Sequence, residues 1–241
     1  MATSFASGAH YSRTAGTFPA EESFSVALWC RWAAYTTFRS VFDYSDGNGN
    51  QANAFTLYLD GSGFRCYDAR GGSASDDQMF GSGTIAANTW AFVAAAVSTL
   101  GVTWYYAKEG DVALSTGGSV NAGTRSAFTT LLLGRDISGT PWDGGDIVAA
   151  KTWNAELTSV EFLAEYLKLH AQRTANLHEV HELYTPGTTD ESGNSRTLTA
   201  NGTPGTASGN PPFTDLGGGG ASRPPFSRRR QLFVPSFRRA A

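Results

Sequence analysis

Three groups of residues have the types and spacing that could do chemistry. His178, Glu179, His181 and Glu182 fall within one five-residue run, HEVHE. A zinc helix needs imidazoles at i and i+4, so that both reach one metal. Here the second imidazole stands at i+3 and position 182 is Glu, so the run reads as a solvated polar strand or helix end. Two Gly-rich loops gather oxygen donors: Asp43, Asp46, Asn48 and Asn50 in one, Asp136, Asp143 and Asp146 in the other. Calcium takes six to eight oxygens, which makes Asp43, Asp46, Asp136 and Asp146 the metal candidates. Against them, Asp and Asn in such loops are ordinary turn formers, and neither loop matches a complete EF-hand; turn chemistry is preferred. The third group is aromatic. Trp142 with Asp143 and Arg135 could hold a sugar, followed by Tyr105 and Trp29 on the polar parity of their strands. Packing is the preferred reading here too, because tryptophans in an aromatic β protein mostly report the core. Trp142 would then cap a sandwich, and Trp29 would lie under a second layer or a neighbouring subunit.

A fourth stretch carries charge rather than chemistry. From Pro211 to Ala241 there are six arginines against one acid, Asp215, so the body is acidic and the tail basic. Three readings compete. Arginines could neutralise phosphates while Phe226, Phe233 and Phe237 stack on bases. The tail could be merely solvated. Or it could dock, with Leu232, Phe233, Val234 and Phe237 as anchors and Arg228, Arg229, Arg230, Arg238 and Arg239 pairing with acids. Docking ranks first, because a solvating tail has no use for LFV and two further phenylalanines, and the whole-chain charge of −3 does not point to nucleic acid.

These groups must be held by strands. Ser23 to Trp32 alternates strictly, with Phe24, Val26, Leu28, Cys30 and Trp32 on one face, the period-2 sign of a strand with a buried face. Residues 38–44 alternate again, with Phe38, Val41 and Phe42 as core candidates. Residues 54–59 place Phe55, Leu57 and Leu59 on one face, Asp60-Gly61 turns the chain, and Phe64–Tyr67 returns. Residues 68–78 read as a polar loop. Residues 89–98 read as a strand buried on both faces, 102–107 as its hairpin partner, and 129–134 and 146–153 as further strands. An edge strand is expected within the first 22 residues. The period then changes. Thr158 and Glu161 form a capping box, and apolar residues follow at helical spacing to about Gln172. Residues 177–184 read as a late strand, followed by a turn and one more short strand.

Composition agrees. Glycine is abundant (28 of 241 residues) and only 16% of residues are charged, which suits short strands and tight turns. The division expected is a body at 1–172 with a helix at about 159–172, a β-rich appendage at 173–210, and a tail at 211–241 beginning near the run Gly217–Gly220. No apolar run reaches the ~20 residues of a membrane span, and residues 1–20 lack a secretory pattern. A soluble protein made in a cytoplasm is expected, with Cys30 and Cys66 as buried free thiols.

The order of these segments resembles a known family. FSVALWCRW, FTLYLDGSGFRCY, TWAFVAAAVSTLGVTWYYAKEGD, LLLGRD and DGGDIVAAKTWNAELTSVEFLAEY are similar to laminin-G-like and pentraxin-like domains of the concanavalin A-like lectin/glucanase superfamily. The matching details are Trp90-Ala91-Phe92-Val93 before a hairpin and Leu157-Thr158-Ser159-Val160-Glu161 opening a helix. The resemblance covers about residues 5–170 and implies an all-β, two-sheet antiparallel jelly roll. It also implies calcium as an optional ligand at a sheet rim. The glucanase branch carries its carboxylates on one strand as E-x-D-x-x-E, about 5 Å apart across one bond for retention. That pattern is missing here, so no enzyme is expected. The segment DESGNSRTLTANGTP, with Pro211-Pro212-Phe213 and the Arg-rich end, resembles tailpieces of laminin-G-like bacteriophage proteins. This implies a non-enzymatic virion structural protein: a capsid decoration, fibre or tail component assembled in the host cytoplasm and displayed on the virion surface. Its partners would be a capsid protein or further copies of itself. The alternative is a carbohydrate-binding lectin module, with or without calcium, whose partners are surface glycans.

Overall fold

In the computed structural model the described residues are 2–213, apart from 7, 36, 37, 50, 72, 122, 184–186, 208 and 210–212. The chain enters through β1 (Thr3–Phe5) and β2 (His10–Arg13). Then come β3 (Phe24–Trp32), β4 (Arg39–Ser45), β5 (Ala54–Leu59), β6 (Gly63–Arg70), β7 (Ser73–Gly81), β8 (Ala91–Ser98), β9 (Gly101–Lys108), β10 (Ser115–Val120), β11 (Thr130–Leu133) and β12 (Gly145–Trp153). α1 spans Ser159–Tyr166, followed by β13 (Leu177–His181), β14 (Thr199–Asn201) and β15 (Gly205–Thr206). Two antiparallel sheets result. Sheet A runs β10-β9-β8-β3-β12-β1-β15, with β13 also paired to β12; sheet B runs β14-β2-β11-β4-β5-β6-β7. This is a jelly-roll sandwich.

Alternation sets the core. Phe24, Val26, Leu28, Cys30 and Trp32 of β3 meet Phe42, Tyr44, Phe55, Leu57, Leu59 and Phe64 of sheet B in one buried cluster. Phe24 alone makes edge contacts with Tyr44, Phe55 and Phe128 at 5.3–5.8 Å. Each such side chain contributes about 1.5–3 kcal/mol by burial. The other face of sheet A is covered as well. Ala27, Ala94, Ala96 and Ala107 leave room there for Trp29, Phe92, Trp153, Phe162, Tyr166 and Phe213. Trp29 stacks on Tyr166 at 5.2 Å and donates its Nε1–H to the Tyr166 carbonyl at 2.6 Å. Trp29 is thus a core residue under the α1 layer, and β8 is buried on both faces as its sequence implies. Cys30 and Cys66 are both free and buried. Among the described residues no helix is long and apolar enough to cross a membrane.

α1 opens with the expected capping box between Thr158 and Glu161, but it stops at Tyr166 instead of about 172. Glu165 is the reason. Its Oε1 takes the backbone N–H groups of Gln172 (2.8 Å) and Arg173 (2.7 Å), and its Oε2 takes Lys151 Nζ at 2.7 Å. Lys151 in turn donates to the carbonyls of Lys168 and His170, which folds the chain away from the helix axis.

Residues 173–210 are not an appendage at all. β13 joins sheet A, β14 pairs with β2, and β15 pairs with β1. For the same reason β2 is no edge strand, since it lies between β11 and β14. Residues 68–78 are also mostly strand instead of loop: β6 continues to Arg70 and β7 begins at Ser73. Asp68 explains this extension. Its Oδ2 accepts Arg70 Nε at 3.0 Å and its Oδ1 pairs with Arg125, all three fully desolvated.

HEVHE is neither solvated nor helical. His178, Glu179 and His181 are at most 1% exposed. Glu179 accepts Arg13 on both carboxylate oxygens (3.1 and 3.3 Å), His181 Nε2 at 3.0 Å, and the Tyr44 hydroxyl. Burial pushes this carboxyl up, but the His181 hydrogen bond and charge, the Arg13 charge and Tyr44 outweigh it and hold it at about 2. His178 is driven down to about 4 by burial.

Breaking a buried pair by neutralising one partner costs about 3–5 kcal/mol. Glu179→Gln leaves Arg13 unpaired inside the sandwich, and urea unfolding at pH 7 should show that loss; a change under about 0.5 kcal/mol would contradict the network. A depressed carboxyl stabilises above its unfolded value of 4.5 and loses that contribution as pH falls towards about 2. The gap between wild type and variant should therefore shrink below pH 4.5.

Candidate functional site

Sheet A is covered on both faces along β3, β8 and β12. Sheet B is also covered over much of its outer face: Ser40, Asp43, Thr56 and Tyr58 of β4 and β5 are at most 3% exposed, and the accessible outward side chains lie on β6 and β7. The ladder registers define this outer face. Ser40 pairs with Tyr58, Tyr58 with Arg65, and Arg65 with Gln78; Asp43 pairs with Thr56, Thr56 with Tyr67, and Tyr67 with Asp76. Directly opposed residues share a face, so these eight side chains form two adjoining rows opposite the core.

One end of this face is aromatic and charged. Phe38, 38% exposed, stacks on Tyr58 with ring centroids 4.0 Å apart and planes 26° apart. Phe38 is therefore a correction to its expected place in the core, whereas Val41 and Phe42 are buried. The Tyr58 hydroxyl donates to Asp76 Oδ1 at 2.6 Å, and Arg65 Nε donates to the same oxygen at 3.0 Å. Arg65 also donates to the Asp76 carbonyl and lies 3.6 Å from Asp60. Burial and then Asp76 push the Tyr58 hydroxyl up, so it remains a donor. Gln78 is tied to the Ser62 carbonyl at 2.9 Å. An exposed ring thus stands beside a carboxylate and a guanidinium whose orientations are already set.

The other end holds two buried carboxylates from distant segments. Asp136 accepts Ser40 Oγ, Gln51 Nε2, Ser138 Oγ and the Thr140 N–H. Asp43 accepts Thr56 Oγ1 at 2.8 Å, while its Oδ1 is buried with no hydrogen-bond partner. Burial, opposed by Thr56 and reinforced by the Asp136 charge, pushes the Asp43 carboxyl up to about 7. Of the four metal candidates only these two come together. Asp46 is a turn former, accepting the Asn48 N–H and Asn53 Nδ2. Asp146 pairs with Arg31 across β12 and β3. Among the described residues no three His, Cys, Asp or Glu side chains converge as a metal cluster.

Of the four sugar candidates, Trp142 and Asp143 line one small hollow of about 120 Å³ with Trp32 and Arg39, and Tyr105 stands apart from them. Trp142 is fully buried against Trp32, with ring centroids 6.5 Å apart. Its ring passes so close to Gly145 that a Cβ there would lie 2.0 Å from Nε1. Buried in this way, it caps the sandwich at the base of that small hollow. Asp143 accepts the Gly8 N–H at 2.8 Å, and its carbonyl accepts Arg39. Arg135 is half-buried in a bridge to Pro141. Tyr105 lies on the far side of the molecule, packed on Phe162 at 4.9 Å beneath α1. The docking residues Arg228 to Arg239, and Asn50, lie outside the described residues. Tyr58, Arg65, Tyr67, Asp76 and Gln78 were not among the sequence candidates. Strand parity was the available signal for three of them, since Tyr58, Arg65 and Tyr67 alternate with Phe55, Leu57, Leu59, Phe64 and Cys66.

A two-sheet antiparallel jelly roll with a short helix packed on one sheet is a lectin-like architecture. Residues 5–161 match the model of the Concanavalin A-like lectin/glucanases superfamily, in its laminin-G-like branch. The chain belongs to that superfamily. No curated protein matches the sequence. Among solved structures, a heptameric SAP-like pentraxin from Limulus polyphemus is similar at 14% identity and TM-score 0.53, over 80% of this chain and 88% of the pentraxin. A putative carbohydrate binding protein from Bacteroides ovatus is similar at 12% and 0.54, over 85% of this chain and 61% of that one. The enzymatically active domain of tailspike protein 2 from bacteriophage CBA120 is similar at 12% and 0.54, over 71% of this chain and 28% of that one. At these identities the likeness shows the fold.

A carboxyl raised from 3.8 to about 7 makes the folded state bind the extra proton, so stability falls as pH rises through that window. Asp43→Asn removes the titration. Its melting temperature should change less than that of wild type between pH 4 and 7 and should exceed it at pH 8. Parallel melting curves for the two proteins would overturn the assignment.

Proposed function

We propose that this chain is a non-catalytic carbohydrate-binding module that takes glycans on the outer face of sheet B. The observation that carries this reading is the Phe38 ring standing beside the fixed Tyr58–Asp76–Arg65 network. A pyranose presents a C–H face and a rim of hydroxyls. The exposed ring suits the first, and a carboxylate next to a guanidinium suits vicinal hydroxyls as acceptor and donor. Asp76 is engaged by both a phenol and a guanidinium, an arrangement that positions an oxygen better than it delivers a proton, so the reading is binding instead of hydrolysis. The Bacteroides ovatus protein described as a putative carbohydrate binding protein shares this fold.

Calcium fits the far end of the face. Asp43 Oδ1 is buried and unpartnered, and Asp43 and Asp136 would supply the carboxylates of such a site. A bound cation would supply the positive charge that these two buried carboxylates lack.

A second reading concerns placement. The charge contrast between body and tail favours a jelly roll displayed on a virion surface, as a capsid decoration, fibre or tail component, with residues 221–241 as its anchor. Copies of the chain would add avidity to weak single-site contacts, as the heptameric pentraxin illustrates.

A glycan array with full-length protein, in calcium and in chelator, tests the first reading. Wild type should retain a defined glycan set, and Phe38→Ala should lose about tenfold or more, the ~1–3 kcal/mol scale of an aromatic stacking contact, with an unchanged melting temperature. An array blank in both conditions would defeat it. For the second reading, deleting 221–241 should abolish particle association while glycan binding persists.

A further inference from the structure

A cleft lies on the sheet A side of the molecule, away from the outer face of sheet B. It measures about 490 Å³ and lies between the segment that follows α1 and the outer edge of β13, lined by His170, Leu177, Val180, Glu182, Glu191 and Asn194 among others. That volume is within the ~300–1,000 Å³ of ligand clefts. Its floor is apolar, from Leu177 and Val180; His170 lines it with Nδ1 2.6 Å from Glu182 Oε1, and no lysine or arginine does. A second hollow of about 120 Å³ shares Glu182 and Glu191, so the two carboxylates sit on the ridge of one continuous trough.

Backbone pairing is not what this trough offers. The Val180 N–H already donates to Asp190 Oδ1, the Val180 carbonyl accepts the Glu191 N–H, and the His178 carbonyl accepts Ser192, Asn194 and Arg196. Recognition there must come from side chains: carboxylates above an apolar floor. The matching occupant is cationic and apolar at once.

One segment of this chain has that chemistry. Residues 211–241 hold six arginines and one acid, a net +5, leaving 12 basic against 20 acidic residues in 1–210, a net −8. Within that tail, RRRQLFVPSFRR places Leu232, Phe233, Val234 and Phe237 between two arginine groups. Reach is no obstacle. Phe213 packs on Trp29, whose indole bonds Tyr166, four residues before His170. The 28 residues after Phe213 can span up to ~90 Å at ~3.3 Å each. Attachment to the same chain also gives an effective concentration on the order of millimolar, so a weak contact suffices.

We propose that the arginine- and phenylalanine-rich tail of this chain docks in cis into the acidic trough beside β13, with its arginines on Glu182 and Glu191 and its apolar residues on Leu177 and Val180. The proposal rests on the docking reading of the tail, which it assigns to this chain in place of a virion partner, and is independent of the glycan reading. Limited trypsinolysis of the full chain tests it, because trypsin cleaves after Arg238 and Arg239. Cleavage there should be about tenfold slower in wild type at low salt than in Glu182→Gln/Glu191→Gln, a difference of about 1.4 kcal/mol in the closed population. It should rise to the variant's rate at ~1 M salt, where the Debye length is ~3 Å. Should the cleft variant fold poorly, Arg228→Glu/Arg229→Glu/Arg230→Glu alters only the tail and should expose Arg238 and Arg239 equally. Equal rates in wild type and the tail variant would overturn the proposal. Protection that grows with protein concentration would overturn docking in cis and assign the trough to a second copy. Glycan-array signals should be the same for all these proteins, which separates failure here from failure of the glycan reading.

Discussion

A strand with apolar residues on both faces can persist only between two layers, and β3 is such a strand. Phe24, Val26, Leu28, Cys30 and Trp32 face sheet B; Ala27 and Trp29 face α1 and Phe213. The second set could not be left in water, because a tryptophan face and its indole N–H both need partners. Alanines at 27, 94, 96 and 107 keep that outer surface shallow enough for Trp29 to lie flat against Tyr166. From this follow the position of α1, the path of the chain back towards residue 213, and the division of labour between the sheets. Sheet A is packed on both sides along β3, β8 and β12, and the accessible outward side chains of sheet B lie on β6 and β7.

Buried charge then fixes how the late segments attach. Glu179 joins β13 to β2 and β4 through Arg13 and Tyr44, Glu165 joins α1 to β12 through Lys151, and Asp68 joins β6 to the segment before β11 through Arg125. Hydrophobic strips of equal parity could slide by two residues with little change in burial. A desolvated carboxylate that slides loses its partner, at a cost of several kcal/mol. The Glu179 and Asp68 pairs span elements far apart in sequence and select one register out of several that apolar burial alone would allow, while the Glu165 pair fixes how α1 returns onto β12.

Those same features mark what was legible in the sequence. Alternation identified β3, β5 and β8, and the box of Thr158 and Glu161 identified the start of α1, because these signals are local. β7 and β10 escaped notice because Ser73–Asp77 and Ser115–Val120 carry almost no apolar periodicity. As edge strands, they have little of their surface to bury. HEVHE read as solvent-facing because its partners Arg13 and Tyr44 lie more than 130 residues away. Likewise Asp43 and Asp136 looked like members of two separate loops until β4 and the segment after β11 brought them to one face. The candidate site was hidden in parity: once one side of β5 and β6 is assigned to the core, Tyr58, Arg65 and Tyr67 must be on the other.

The character of sheet B's outer face argues for a small polyhydroxylated ligand over a protein partner. A stable protein interface buries about 1,200–2,000 Å² in total around an apolar centre. Among the described residues of this face the exposed large apolar side chain is Phe38, and its neighbours are a carboxylate, a guanidinium and an amide. Those polar groups are bonded to one another, so they would meet a partner already desolvated in part and held in position, which lowers the ordering cost of binding. A single ring with preset donors and acceptors matches the dimensions of one or two sugar residues. The lone buried oxygen of Asp43 lies along the same rows of side chains, so a cation bound there would change the charge of the surface that the glycan meets.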